Sequence, residues 1–386
     1  MTVHRSASVV VIGAGAIGLA VALQLTRAGV PDVLVVDRNP SPGMGSTSRA
    51  NGGVRAQFTT AINIAFSRFT IEKLRELHDQ TSGLVGFRPI GYLFLTGTNE
   101  GETALRRARD LQRSLGVDVD WLSPSDVTEL APFVKVDGLR AATFCGGDGL
   151  IDPHGVAGAL WSEAKRLGAV LVPDTDVLEV TSSATGALVH TTSGGILTDY
   201  AVNAAGPYAA PLAALSGIEL PITTRRRNLV CTEAVPRAPE VTPMCVDSDT
   251  GILTRREGAG FLIGYSDPHD PASLDTSFDP AFLDAIAARI GNRFPFLEDV
   301  PINDRKCWAG LYPETPDHHA IIDAPEQAPR FIQCVGFGGH GIMHSLAAGQ
   351  AVTELITQRR CTTFDLHPLR LQRFTEPGGV AETAVL

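Results

Sequence analysis

Short runs of β-branched residues alternate with stretches in which apolar positions recur every three or four residues, and the alternation is clearest at the two ends of the chain. Residues 8–12 (Ser-Val-Val-Val-Ile) form an apolar run too short for a helix, residues 13–18 a glycine turn, and residues 17–28 carry apolar side chains at helical spacing until Gly29 stops them. Val33–Val36 is a second buried run and ends at Asp37. The order predicts β-α-β with a right-handed crossover. The far end returns to this pattern, with a strand over 331–335, a glycine turn over 336–341 and a helix over 342–358.

Between the ends, residues 40–60 are too polar and glycine-rich for a core element and read as a loop that touches a ligand. The periodicity predicts helices over 61–78, 102–115, 153–167 and 280–294. It predicts strands over 88–97, 170–172, 176–180 and 188–192, a turn over 145–149, and an apolar strand over 200–205 that ends in Gly206-Pro207. Residues 228–265 are strand-rich. The class is α/β. Neither a fixed-period repeat nor a low-complexity linker cuts the chain, so its domains are expected to be interleaved.

At 386 residues and 40.8 kDa the chain is too long for one compact core and suits two, at roughly 100–200 residues per domain. A composition 44% hydrophobic and 19% charged excludes disordered, collagenous and coiled-coil classes. The net charge of −10 repels phosphate backbones and anionic headgroups, so neither nucleic acid nor a membrane is expected as a partner. The run Arg225-Arg226-Arg227 is too short for a polybasic patch and reads as a strand or loop with a solvated face. Six cysteines without a C-x-x-C pair suit reduced thiols in a cytosol, hence a cytoplasmic protein. Residues 8–26 lack charge and mimic a signal peptide or membrane span, but Gly13, Gly15 and Gly18 interrupt them, and strand-turn-helix explains them better.

Candidate chemistry begins at Gly13-Ala14-Gly15-Ala16-Ile17-Gly18, a G-x-G-x-x-G between strand and helix. The first glycine permits the turn, the second lets backbone approach a pyrophosphate, and the third packs helix on strand. Asp37, nineteen residues past Gly18, stands where a carboxylate accepts from a ribose hydroxyl. This predicts a dinucleotide site; NAD and FAD are equally compatible with it. The pairs His318-His319 with Asp317 and Asp323, and His154 with Asp152, lack a spacing that sets three ligands on one element, so no metal is expected. With no G-x-S-x-G elbow, acyl transfer is unsupported.

Four stretches in order resemble the flavin-dependent amine oxidoreductases related to D-amino acid oxidase, sarcosine oxidase, glycine oxidase and dimethylglycine dehydrogenase. They are the first glycine turn with Asp37-Arg38, residues 45–55 (Gly-Ser-Thr-Ser-Arg-Ala-Asn-Gly-Gly-Val-Arg), residues 202–207 (Val-Asn-Ala-Ala-Gly-Pro) and residues 336–341 (Gly-Phe-Gly-Gly-His-Gly). Residues 310–317 (Gly-Leu-Tyr-Pro-Glu-Thr-Pro-Asp) are closest to the sarcosine oxidase group. The resemblance implies a Rossmann-like FAD domain of glutathione reductase type built from residues 1–85, 147–220 and 328–375. Interleaved with it would be a substrate domain on a large mixed or antiparallel sheet, residues 86–146 and 221–327, with 376–386 as a C-terminal tail.

It further implies that Gly13, Gly15, Ala16, Ile17, Gly18, Asp37 and Arg38 hold the dinucleotide, while Gly45, Ser46, Thr47, Ser48, Arg49, Asn51 and Gly52 run along phosphates and flavin. Val177 would face the adenine, and Ala204, Ala205, Gly206 and Gly310 would line the cofactor. Gly338, Gly339, His340, Gly341, Ile342 and Met343 would cover the pyrimidine end of the flavin, where a helix N-terminus compensates the charge of the reduced ring. Gly310 and Arg49 occupy the positions where relatives tether FAD through cysteine or histidine, so the cofactor should be noncovalent.

As catalytic candidates the resemblance implies Arg55 on the substrate carboxylate, Tyr312 beside it, Tyr265 at the flavin's face and His340 on cofactor or substrate, with Ser266 in the pocket where relatives carry histidine. Leu262 and Met343 replace two lysines, which weakens the case for oxygen as direct acceptor and leaves O2 or an electron-accepting partner. The expected activity is hydride transfer from the C–N bond of an amino acid or N-substituted amine to flavin N5, giving an imine that hydrolyses. Oxidation of a 2-hydroxy acid, or a non-catalytic FAD-bearing subunit or assembly factor, stays open, as does a homo- or hetero-oligomer.

Overall fold

The computed structural model describes residues 6–267 and 270–384. Among these residues two sheets of eight strands each carry the fold. Strand β1 (Ser6–Ile12), helix α1 (Ala16–Arg27) and strand β2 (Val33–Val36) form the expected unit, with β1 and β2 parallel. Strand β1 is central and buried on both faces, Val9 and Val11 entering one apolar cluster and Val10 and Ile12 another. Continuous Val/Ile runs are what such a strand requires.

Phe331–Val335, Gly194–Asn203, β1, β2 and Val170–Val172 run parallel in that order. Helix α1 packs against Gly341–Gln358 so closely that a Cβ at Gly349 would lie 2.6 Å from the Ala20 carbonyl oxygen. The two glycine turns are thereby brought to the same end of one sheet.

The second sheet runs Trp308–Glu314, Thr223–Cys231, Gly260–Tyr265, Ile252–Glu257, Met244–Asp247, Tyr92–Thr96, Ala141–Cys145 and Asp120–Leu122. All its pairings are antiparallel except Met244–Asp247 with Tyr92–Thr96. One face packs Leu93, Val230, Phe261 and Ile263 on the helix Phe282–Ile290. The other presents Tyr92, Phe94, Arg227, Arg255, Leu262 and Tyr312, as the register requires.

Several elements depart from the sequence reading. The expected 200–205 strand starts at Gly194, because Ala187–Thr191 pairs with its first half as a hairpin. Ala141–Cys145 is a strand where only a turn from 145 was expected, and Trp308–Glu314 was not read as a strand from periodicity. Ile321–Asp323, expected with the substrate domain, is an antiparallel edge of the first sheet. Arg227 is buried between Asp270 (2.6 Å) and Glu314 (2.9 Å), so the arginine run is not a solvated face; its alternate member Arg226 pairs with Asp275 and Asp279. Among the described residues no helix is long and apolar enough to cross a membrane.

Candidate functional site

The first glycine turn is built of backbone. Gly13 has φ +108°, and a Cβ there would sit 2.4 Å from the Ala204 carbonyl oxygen, while one at Gly18 would sit 1.8 Å from Gly13 O. These two glycines are packing requirements. A Cβ at Gly15 would meet only Thr47 Oγ1, at 3.4 Å, and at Gly45 or Gly206 nothing within 4 Å. The backbone at Gly15, Gly45 and Gly206 is thus accessible to a ligand.

No side chain caps α1 and its first turn carries no acid, so its N-terminus keeps its positive dipole for an anion, the Ala16 N–H being shared with Thr47 Oγ1 at 3.0 Å. Ile17 follows inside the helix. Asp37 ends β2 and accepts from Ala14 N at 2.6 Å and from both nitrogens of Asn39, which fills three of a carboxylate's roughly four acceptor positions and leaves one for a hydroxyl. Arg38 pairs with Asp176, the neighbour of Val177, at 3.1 Å and covers the ring of Tyr208, which follows Ala205 and Gly206 in the chain, at 4.2 Å.

The polar loop after Pro40 is stitched between the sheets. Ser46 Oγ donates to Leu311 O (2.9 Å), Arg49 donates to Ala309 O (2.9 Å), Trp308 Nε1 donates to Arg49 O (2.8 Å), and Arg255 Nε donates to Asn51 O (2.8 Å). Ser48 closes on Gly45, and Gly52 turns at φ +81° against Ile151. Gly310 lies against the Arg49 Cβ, where a Cβ on Gly310 would be 3.3 Å from it.

The second glycine turn closes a different kind of place. Gly339 lies under the Tyr312 ring, where a Cβ would be 2.5 Å from it, and Gly338 has φ +51°. His340 is buried edge-on to Phe58, with ring centroids 4.8 Å apart, and Gly341 opens the last helix, whose first turn has no acid and no side-chain cap. Ile342 and Met343 face the first core cluster. Phe58 carries the Arg55 guanidinium on its ring at 4.0 Å, and Phe94 lies 5.5 Å from the same group.

Arg55 is 1% exposed, and among the described residues no carboxylate lies within 4 Å of it. Burial lowers its pKa, while Tyr92, Glu382, Asp148 and Tyr312 act in the opposite sense. Burial likewise raises the Tyr92 and Tyr312 phenols and holds His340 well below its ordinary value, so all three are neutral near pH 7.

Arg55, Tyr312 and His340 therefore lie close together, Arg55 and His340 against Phe58 and Tyr312 over Gly339. Tyr265 does not join them. It stacks on Phe282 at 6.4 Å and under Arg289 at 4.4 Å, on the helix-covered face of its sheet, because residues 261, 263 and 265 point one way and 262 and 264 the other. His319 bonds Thr60 Oγ1 at 3.1 Å, and Asp317 is held by Arg373 at 2.7 Å.

Three pocket residues carry no sequence motif. Tyr92 lies on the site-facing side of the large sheet, its hydroxyl against Gly53. Asp148 is buried, accepts from Ala56 N (2.8 Å) and Gln57 Nε2 (3.3 Å), the two residues after Arg55, and is pushed up to about 6 by burial against those bonds and the Arg55 charge. Glu382 arrives from the far end of the chain. Alternation could have suggested Tyr92; nothing local marks the other two.

Residues 8–355 match the family described as FAD dependent oxidoreductase. The chain belongs to this family. FAD is accordingly its cofactor, and the open backbone at Gly15, Gly45 and Gly206 with the uncapped α1 fits that group. This family member is 28% identical over 417 residues to FAD-dependent oxidoreductase domain-containing protein 1 of Bos taurus, which covers 95% of this chain and 84% of that protein. It is 27% identical to glycine oxidase of Geobacillus kaustophilus, over 98% of this chain and 99% of that one. Among solved structures it is similar to L-proline dehydrogenase from P. horikoshii, with a TM-score of 0.89 and 27% identity over 97% of this chain and 99% of that one.

Proposed function

We propose that this FAD-dependent oxidoreductase oxidises the C–N bond of an amino acid or an N-substituted, secondary or tertiary, amino acid. The carrying observation is Arg55, a guanidinium buried among Phe58, Phe94, Tyr92, Tyr312 and His340 with no carboxylate within 4 Å among the described residues. A buried guanidinium with no carboxylate in direct contact leaves room for one, and a substrate carboxylate would supply it through two parallel hydrogen bonds.

Tyr312, kept protonated by burial, would donate to the same carboxylate. The positive guanidinium and the phenyl walls disfavour a second cation, so the substrate nitrogen sits there as the neutral amine whose lone pair expels hydride. Bound FAD supplies the hydride acceptor at its N5. The pocket orients the Cα–H and excludes water until the imine leaves to hydrolyse to a carbonyl compound and an amine.

FAD would be held without a covalent bond by the glycine turns, Asp37-Arg38, the 45–52 loop and Val177, in a domain made of residues 1–85, 147–220 and, with its edge strand, about 320–375. Residues 86–146 and the block from 221 would form the substrate domain. Leu262 lies in an apolar cluster with Leu229, Cys231 and Trp308, and its cross-strand neighbour Arg255 is neutralised by Glu257. Reoxidation by O2 would then be slower than by a dye or an electron-accepting partner.

The test is anaerobic bleaching of the bound flavin with panels of amino acids, N-methyl amino acids and 2-hydroxy acids. Bleaching by amines is expected. Bleaching by hydroxy acids alone, or by none of the panel, would refute the reading.

A further inference from the structure

The segment that follows Arg373 runs exposed from Glu376 to Ala381 and then turns inward. Glu382 is 1% exposed. Its amide donates to Asp317 O at 3.0 Å, and its carboxylate accepts from Thr59 N (2.9 Å), Thr60 N (3.2 Å), Thr60 Oγ1 (2.8 Å) and Asn63 Nδ2 (3.1 Å), where it caps the helix Ala61–Gln80. Two residues beyond this anchor, the Ala384 carbonyl accepts a hydrogen bond from Arg55 Nη2. The other terminal nitrogen, Nη1, donates to Gln57 O.

Both terminal nitrogens of the guanidinium are thus held by neutral carbonyl oxygens. One belongs to Arg55's own loop, and the other to a segment 329 residues away. A carboxylate is the stronger acceptor and competes with the Ala384 oxygen for Nη2. We infer that residues 382–384 are a built-in competitor for the substrate carboxylate: Glu382 anchors the segment, and the Ala384 carbonyl occupies Arg55 until an anionic ligand displaces it. The inference rests on the reading of Arg55 as the carboxylate holder.

Occupation of this kind multiplies ligand affinity by the fraction of time the site is free, so the apparent Kd rises by the inverse of that fraction. It also selects against neutral ligands, which would replace one carbonyl by another without gain. The anchor need not move, because only the peptide beyond Glu382 touches Arg55.

The probe is benzoate, titrated into the FAD-loaded protein by calorimetry and by flavin absorbance. A chain ended after Thr383 keeps the Glu382 cap and should bind benzoate at least about tenfold more tightly than the full chain. In the full chain, saturating benzoate should speed amide hydrogen exchange across 380–384, whereas benzamide should not, and this second measurement needs no variant. Unchanged or weaker benzoate binding by the shortened chain, or slower exchange on binding, would overturn the competitor while Arg55→Met still abolishes binding. Undiminished binding by Arg55→Met would instead remove the carboxylate reading beneath it.

Discussion

The proposed cofactor cradle and the proposed Arg55 site are built on opposite principles. The cradle is backbone: Gly13, Gly15 and Gly18 fall within one short turn, two of them demanded by packing and one left open. The pocket is side chain: Arg55, Tyr92, Asp148, Tyr312, His340 and Glu382 come from six separate stretches. A dinucleotide offers the same charged pyrophosphate wherever it binds, so one short turn suffices for it. A particular substrate needs a particular set of walls, which a sheet face and distant loops supply.

The largest effects are expected at the glycines. Gly18→Val puts a Cβ 1.8 Å from Gly13 O and should cost the fold about 3 kcal/mol or more along with the flavin, as melting temperature and flavin absorbance will show. Gly15→Val meets only Thr47 Oγ1, so it should melt near the parent temperature and still lose FAD. Equal melting of both variants would contradict the distinction between packing and open glycines.

In the pocket, Arg55→Met should leave flavin content intact and raise the KM for an amino-acid substrate by about a hundredfold, the ~3 kcal/mol of a buried charged contact. A parent-like KM would remove Arg55 from the site. If FAD is noncovalent, acid-precipitated protein should be colourless and the supernatant yellow.

Asp148 gives a pH signature. Its carboxyl is raised from 3.8 to about 6, so the folded state binds the proton more tightly than the unfolded one, and this group's favourable contribution is full below about pH 4 and lost as pH rises through 6. Unfolding free energy should therefore fall by roughly 1–3 kcal/mol across that interval relative to Asp148→Asn, measured by urea titration. Parallel pH profiles would contradict a buried, raised carboxyl. The smallest effect belongs to Ser46→Ala, which removes one bond to Leu311 O and should cost about 1 kcal/mol of unfolding free energy in a urea titration.

The same contrast explains what the sequence disclosed. The β-α-β unit and the closing strand-turn-helix were legible because their punctuation is local, a glycine turn between a Val/Ile run and a helical period. Tyr265 was assigned to the wrong face because Phe261-Leu262-Ile263-Gly264-Tyr265 is apolar at every position, so alternation marks neither side. Arg227 looked solvated because its partners Asp270 and Glu314 lie 43 and 87 residues away. Glu382 sits in a polar, glycine-containing stretch with no periodicity, and only the folded chain shows that it caps a helix that begins at Ala61.

On the proposed reading, a buried guanidinium selects a carboxylate-bearing amine for oxidation by the bound flavin. The most direct test of that reading is the anaerobic flavin-reduction rate with a matched pair, an N-methyl amino acid that reduces the flavin and the carboxamide of the same compound. The account predicts that the acid reduces the flavin at least about a hundredfold more efficiently than the amide and that Arg55→Met erases the difference. Equal reduction by acid and amide in the parent protein would contradict it.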